Sequence, residues 1–385
     1  MLVVVSLAQF LGMTLWFSAT AITPLLIAEY DIDPTRAAWL TMAVQAGFVA
    51  GTLVSAIANL ADVWNARVLM FVGSITGALT NAAVLVSPNA ASVIALRFLT
   101  GASLALVYPP GMKIIAGWFR DGRGLALGVL IGALTLGKAF PHLLTAMFGA
   151  EWRQPMLVVS ALAVIGGALV LAIVRDGPHV AATAPFDPHA IRKVLASRGA
   201  RLALFGYLGH MWELYAMWTW VAVFAAASLA ASGVANAAAA GSVAAFAAIG
   251  SGAVGCVLAG FVADRVGKAR VAMWAMIASA ASAAATLVVF GRSPIALYLL
   301  IMFWGFAVVA DSAQFSALVS EHAPRDHVGT ALTLQTCVGF LLTLVTIEAL
   351  PRVAQATSWQ WASMLLVPGP VLGAVAMSRL KDKMV

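Results

Sequence analysis

Charge is scarce in this chain. Lys, Arg, Asp and Glu make up 10% of its 385 residues and hydrophobic residues 62%, whereas a soluble domain carries roughly 25% charged residues and is about half apolar. No single soluble core buries so much apolar surface, so the surrounding solvent must be lipid. Cysteine is nearly absent: Cys256 and Cys337 both fall inside apolar runs, and two separated buried thiols make neither a disulfide framework nor a metal site. No Ser-His-Asp set, metal-ligand spacing or phosphate-cradling glycine loop stands in the polar segments, so no enzyme, cofactor or metal is expected. No polar segment is long enough for a nucleotide-binding domain, which excludes an ATP-driven pump. A cleavable leader is not expected either. Ala19-Thr20-Ala21 mimics a cleavage site, but the apolar stretch from Met1 to Ala28 lacks a basic start and is too long for a leader. It reads as a first spanning helix.

What is present is a succession of apolar runs. Each spanning helix needs about 20 such residues. The runs are 2–28, 37–60, 67–86, 91–113, 123–147 and 155–174, then 202–226, 237–262, 270–290, 294–318, 328–349 and 360–379. The formal net charge of +7 does not indicate nucleic acid, because the basic residues sit in short gaps rather than on one face. One alternate set of gaps and ends holds sixteen Lys and Arg residues, from Arg67 to Lys383, and the other holds Arg36, Arg153, Arg292 and Arg352. By the positive-inside rule both termini and the long middle gap are cytoplasmic. That gap contains Pro178, Pro185 and Pro188 and five basic residues. It divides the chain into 1–174, a linker over 175–200, and 201–385. Pro188–Ser197 reads either as a surface amphipathic segment or as plain solvated linker.

The two parts repeat. Asp62 and Asp264 lie 202 positions apart, Gly101 and Gly305 204, Gly124 and Gly329 205, and Trp152 and Trp359 207. Landmarks at one slowly drifting offset indicate two parallel six-helix halves. The loop Gly260-xxx-Asp264-Arg265-x-Gly267-Lys268 resembles the cytoplasmic signature of the major facilitator superfamily. The first copy keeps Asp62 and Arg67, and has Ala58, Val63 and Asn65 where Gly, a basic residue and Gly are usual. Arg97-Phe-Leu-Thr-Gly101 is similar to that family's Arg-xxx-Gly motif. The resemblance implies an all-α membrane fold of about twelve helices in two bundles with pseudo-two-fold symmetry, a central cavity and alternating access. It makes the loop residues gating parts: an Asp at a helix end, a basic residue and a tight Gly turn latch one conformation. The family's efflux signature, Gly-Pro-xx-Gly-Gly on the fifth helix, is not matched, and Pro141 stands elsewhere. No Arg lies at depth on the second or eighth helix, which disfavours nitrate.

A charge near mid-bilayer costs about 2.5–3.5 kcal/mol on insertion scales, so each one calls for a role. On the seventh helix, His210, Glu213, Met217 and Trp220 follow helical spacing on one face, with Tyr215 nearby. Glu213 beside His210 is either a protonation switch or a structural pair. On the tenth, Asp311 and Gln314 share a face, and Trp304 and Val308 continue the stripe. Asp311 is either a titrating or substrate-binding group or the partner of a buried cation. On the fifth, Lys138 is followed one turn on by His142, and with Arg97 it gives the first half two cations where the second half has two acids. Gln335 is the favoured cavity amide, ahead of Gln9, Gln45 and Asn81. Tyr108-Pro109-Pro110-Gly111-Met112-Lys113 reads either as the end of the fourth helix before a cytoplasmic loop or as a proline break whose unwound backbone lines the inner vestibule.

The reading is a secondary active transporter of a small, carboxylate-bearing solute, proton-coupled, acting as a monomer in the inner membrane without nucleic acid. The alternatives are a proton-antiporting exporter of toxic compounds and a non-transporting sensor on a carrier scaffold.

Overall fold

The computed structural model describes residues 1–33, 36–120, 122–179 and 186–380, and of Ala61, Asp62 and Arg123 the backbone alone. The expected part played by the Asp62 side chain, and the basic residues Lys381 and Lys383, lie outside the described residues. Among the described residues there are helices and no strand. Lipid offers the backbone no hydrogen-bond partner, so each spanning segment must satisfy itself.

The first six spans are α1 (Leu2–Met13), α2 (Ser18–Ala21) and α3 (Thr23–Tyr30) in one broken rod; α4 (Trp39–Ile57), followed by the short α5 (Leu60–Val63); α6 (Ala66–Ala83); α7 (Ala90–Leu104) with α8 (Tyr108–Trp118); α9 (Arg123–Phe148); and α10 (Arg153–Ile173). The last six are α12 (Arg198–Ala231), α13 (Ala237–Val266), α14 (Lys268–Val289), α15 (Pro294–Ala310) with α16 (Ser312–His322), α17 (Val328–Ala356), and α18 (Trp359–Ala362) with α19 (Pro368–Ser378). Between them, α11 (Ile191–Ala196) buries Val194 and exposes Arg192 and Lys193. Eleven described helices are long and apolar enough to cross a membrane. The first span falls outside that number because its helix is interrupted.

The fourth span breaks near its prolines rather than ending there. Tyr108-Pro109-Pro110 does not end it but starts a second helical piece, α8, running on to Trp118. Proline fits a first turn, whose N–H groups have no helical partner in any case. The unwound residues come just before, at 105–107. The tenth span breaks at Asp311, 204 positions after Val107. The same bend thus recurs at the repeat offset.

Helix crossings recur at that offset too. A Cβ on Gly101 would lie 2.1 Å from the Val44 carbonyl oxygen, and one on Gly51 2.6 Å from that of Ala102. In the second set, a Cβ on Gly305 would lie 1.7 Å from the Ala248 oxygen and one on Gly255 2.3 Å from that of Phe306. In both places the backbones approach too closely for any side chain. Lipid tails are as apolar as Leu, so such close van der Waals packing carries helix association. Between the two sets of spans, α9 packs along α13 through Gly124, Gly128 and Gly132, which face Asp264, Cys256 and Ala253. The second seam joins α4 to α17, where the rings of Phe48 and Phe340 lie 4.8 Å apart. Side chains such as Ile57, Leu79, Val86 and Ile295 form the apolar exterior.

Gly305→Val should lower the stability of the detergent-solubilised protein by about 1–3 kcal/mol, the usual cost of overpacking. Gly250→Ala, whose new methyl would meet only Leu136 Cδ1 at 3.6 Å, should be neutral. Thermal melting of the two variants checks this, and equal melting temperatures would contradict the crossing.

Candidate functional site

Apart from Arg97, the buried Lys, His, Asp and Glu side chains among the described residues gather in two adjoining clusters, with α12 as their common wall. The first centres on Lys138, which is 2% exposed. Its helix, α9, is pressed against α1 one residue earlier, where a Cβ on Gly137 would lie 2.3 Å from the Phe10 oxygen. The Lys138 ammonium donates to Tyr215 Oη at 2.6 Å. It lies 4.1 Å from the ring centroid of Trp16, 4.8 Å from that of Tyr215 and 5.4 Å from that of Trp218. Desolvated cation–π contacts of this kind are worth about 2 kcal/mol or more. Phe48 and Phe340 complete the wall. The rings of Trp16, Phe48, Tyr215 and Phe340 have centroid separations between 4.8 and 5.8 Å. Both sets of six spans therefore contribute to one closed cage. His142 is buried beside it, 6.4 Å from the Phe17 ring, and neither of its ring nitrogens has a protein partner. The indole nitrogens of Trp16 and Trp218 are likewise buried without one.

Trp16 and Phe17 reach the cage because the first span is interrupted over residues 14–17, and Arg97 holds that interruption. One terminal guanidinium nitrogen donates to Leu15 O at 2.9 Å and Trp16 O at 2.7 Å; the other donates to Ser18 Oγ at 2.9 Å and Asn81 Oδ1 at 2.7 Å. Asn81 in turn donates to Ser160 Oγ at 2.9 Å. Arg97 and Asn81 are therefore committed to this network and are not brought to the cage. A planar guanidinium suits the task, since it can serve several acceptors at once.

The second cluster lies among the last six spans. Glu213 and His210 do not pair with each other. Each turns to a different part of the tenth span. Glu213 accepts from Trp304 Nε1 at 2.7 Å and from Ser279 Oγ at 2.8 Å. His210 Nδ1 lies 2.7 Å from Asp311 Oδ1, within ion-pair distance. His210 Nε2 is 3.0 Å from Ser312 Oγ. Of the other expected residues, Gln314 is buried. Gln335 Nε2 reaches Ser316 Oγ at 3.5 Å, while its oxygen has no protein partner. Trp220 donates to Ile347 O at 2.9 Å. A cavity of about 20 Å³ beside Trp220 and Trp304 has room for about one water. A wider groove, about 530 Å³, lies between α14 and α19, is lined almost wholly by apolar side chains and is remote from this chemistry.

The signature-loop residues divide. Gly267, at φ +97°, makes the turn out of α13. The Asp264 carboxylate and Gly260 face Gly124 at the start of α9, where a Cβ would lie 3.4 Å from Asp264 Oδ1. A carboxylate is stabilised there by the helix dipole. The other charges make contacts nearer home: Lys268 pairs with Glu321 at 2.8 Å, Arg265 stacks on Phe261, and Arg67 binds Asp176 and Val174 O.

Sequence reasoning found Lys138, Tyr215 and the acids but missed Trp16, Phe17, Phe48, Trp218, Phe340, Ser279 and Ser312. The polar residues Thr14 and Ser18 flanking the aromatic pair were the one signal within the first run.

A family model described as Major Facilitator Superfamily matches residues 5–347. A curated relative, the MFS-type transporter pytF of Aspergillus terreus, is 26% identical over 180 residues, which are 46% of this chain and 58% of that protein. The matched segment thus spans less than two thirds of that relative's length.

Arg97→Met should strand the carbonyls of Leu15 and Trp16, at about 1–3 kcal/mol for each buried group left unpaired. A melting temperature unchanged from the parent would show that the interruption holds without Arg97.

Proposed function

Because the chain belongs to the Major Facilitator Superfamily, a family of multi-pass membrane transporters of small molecules, we propose that it is a secondary active carrier of a small carboxylate-bearing solute. Transport is coupled to protons and proceeds by alternating access in the inner membrane, with both termini cytoplasmic. The observation that carries this reading is the Lys138 cage. A buried cation stands at the junction of the two sets of spans, with buried N–H donors around it that have no protein partner. Such a site favours an anion, which would accept from the ammonium and the indoles together.

The acids supply the coupling. Indole N–H can only donate, so Glu213 Oε1 stays an acceptor towards Trp304 in either protonation state. A serine hydroxyl can donate or accept. Ser279 can therefore donate to the carboxylate or, turned about, accept from a proton on Oε2. The pair tolerates both states without moving a helix. The contact of His210 with Asp311 offers the coupled proton a second site. Tyr215 and Glu213 lie two residues apart on α12, so anion binding at Lys138 and proton binding at Glu213 act on one rigid element. Opening towards either side requires the seams of α9 with α13 and of α4 with α17 to part in turn. Asp264 at the start of α9 favours the closed arrangement of its end.

Proteoliposomes containing the protein and a pH dye test the reading. A panel of small carboxylates should produce a substrate-dependent pH change, and Glu213→Gln should abolish it. Sodium-dependent transport that moves no protons would overturn the coupling. A response to lipophilic cations and to no carboxylate would replace the carrier of anions with an exporter.

A further inference from the structure

The cage is more selective than a carrier of anions needs to be. Its walls are flat rings: Trp16, Phe48, Tyr215, Trp218 and Phe340. One cation stands among them, and the contact it makes with an oxygen is to the neutral Tyr215 hydroxyl. The acids of the neighbouring cluster face away from it. Glu213 is engaged by α14 and α15, and Asp311 by His210.

We infer that the substrate is a small aryl monocarboxylate, an acid group carried on a flat ring. The inference rests on the carrier reading above and deepens it.

Three features argue for it. One ammonium balances one negative charge, and a second carboxylate would enter this apolar enclosure unpaired, at high desolvation cost. The unpartnered groups beside the cation suit one carboxylate: Trp16 Nε1 and Trp218 Nε1 can only donate, and His142 has both nitrogens free of protein partners. A carboxylate has about four acceptor sites, enough for the ammonium and both indoles. The rest of the ligand must then lie against rings. Aromatic pairs in offset or edge-on geometry gain affinity beyond what the area they bury provides, so a planar ring is favoured over an aliphatic body of equal size. An amine-bearing ligand is disfavoured, because Tyr215 Oη, the oxygen that meets a cation in the cage, already accepts from Lys138.

The test uses the full chain in lipid nanodiscs and titration calorimetry with four probes: benzoate, cyclohexanecarboxylate, phthalate and benzylamine. Benzoate should bind at least about fivefold more tightly than cyclohexanecarboxylate, as one aromatic contact would give. Phthalate and benzylamine should bind at least about tenfold more weakly than benzoate. Lys138→Arg should retain benzoate binding, and Lys138→Gln should lose it by about tenfold or more, with melting curves reporting whether each variant is folded. Phe340→Leu should narrow the gap between benzoate and cyclohexanecarboxylate. Equal affinity for those two acids would overturn the ring requirement and leave the carboxylate carrier standing. Binding of benzylamine in preference to benzoate would overturn both. Failure of benzoate to bind would overturn this inference, while the proton assay separately decides the carrier reading.

Discussion

A lysine ammonium held at membrane depth must be solvated by the protein itself. Neither water nor lipid reaches Lys138 in the closed cage, and insertion of such a charge costs about 2.5–3.5 kcal/mol. The surrounding structure answers that requirement. Tyr215 gives the ammonium an oxygen, and Trp16, Tyr215 and Trp218 give it ring faces. Placing Trp16 there needs an interrupted first span, and the interruption leaves carbonyls that need Arg97. Arg97 is itself a buried charge, satisfied through Ser18 and Asn81. Two costly cations are thus linked: one supports the backbone that solvates the other.

The second requirement is that this enclosure can open. Within each set of spans, backbones cross at glycines so closely that the crossing has no room to adjust, as at Gly101 and Gly305. Between the sets, contact runs along Gly124, Gly128 and Gly132 at ordinary or slightly tight distances. Crossings that are locked within each set and looser between the sets favour rocking of two rigid bodies over melting of either. The cage straddles the division, so parting the bodies changes the surroundings of Lys138 most. On α12, Tyr215 faces the cage while Glu213 and His210 face α14, α15 and α16, which links the anion site to the proton-binding groups through one helix.

Much of this was legible in the sequence. The spans, the repeat and the exceptional residues Lys138, Glu213 and Asp311 stand out because charge and periodicity are local signals against an apolar background. The pairing of Glu213 with His210 was not legible correctly. Residues three apart share a helix side, but 3.6 residues per turn leaves an angle between them, and α15 with α16 supplies a separate partner for each. Whether Tyr108-Pro109-Pro110 ends the fourth span or breaks it was not legible, because proline marks the start of a helical piece as readily as an end. The aromatic cage was invisible because its rings come from four separate segments, and an aromatic residue in a chain that is 62% hydrophobic carries no mark of its neighbours.

The central claim is that the cage around Lys138 is the point to which both sides of the membrane gain access in turn. The most direct measurement places a reporter there: His142→Cys in a protein lacking Cys256 and Cys337, treated with a membrane-impermeant thiol reagent in right-side-out and in inside-out vesicles. The account predicts labelling from both sides, slowed in each case by a bound carboxylate. Labelling from one side alone, or from neither, would contradict it.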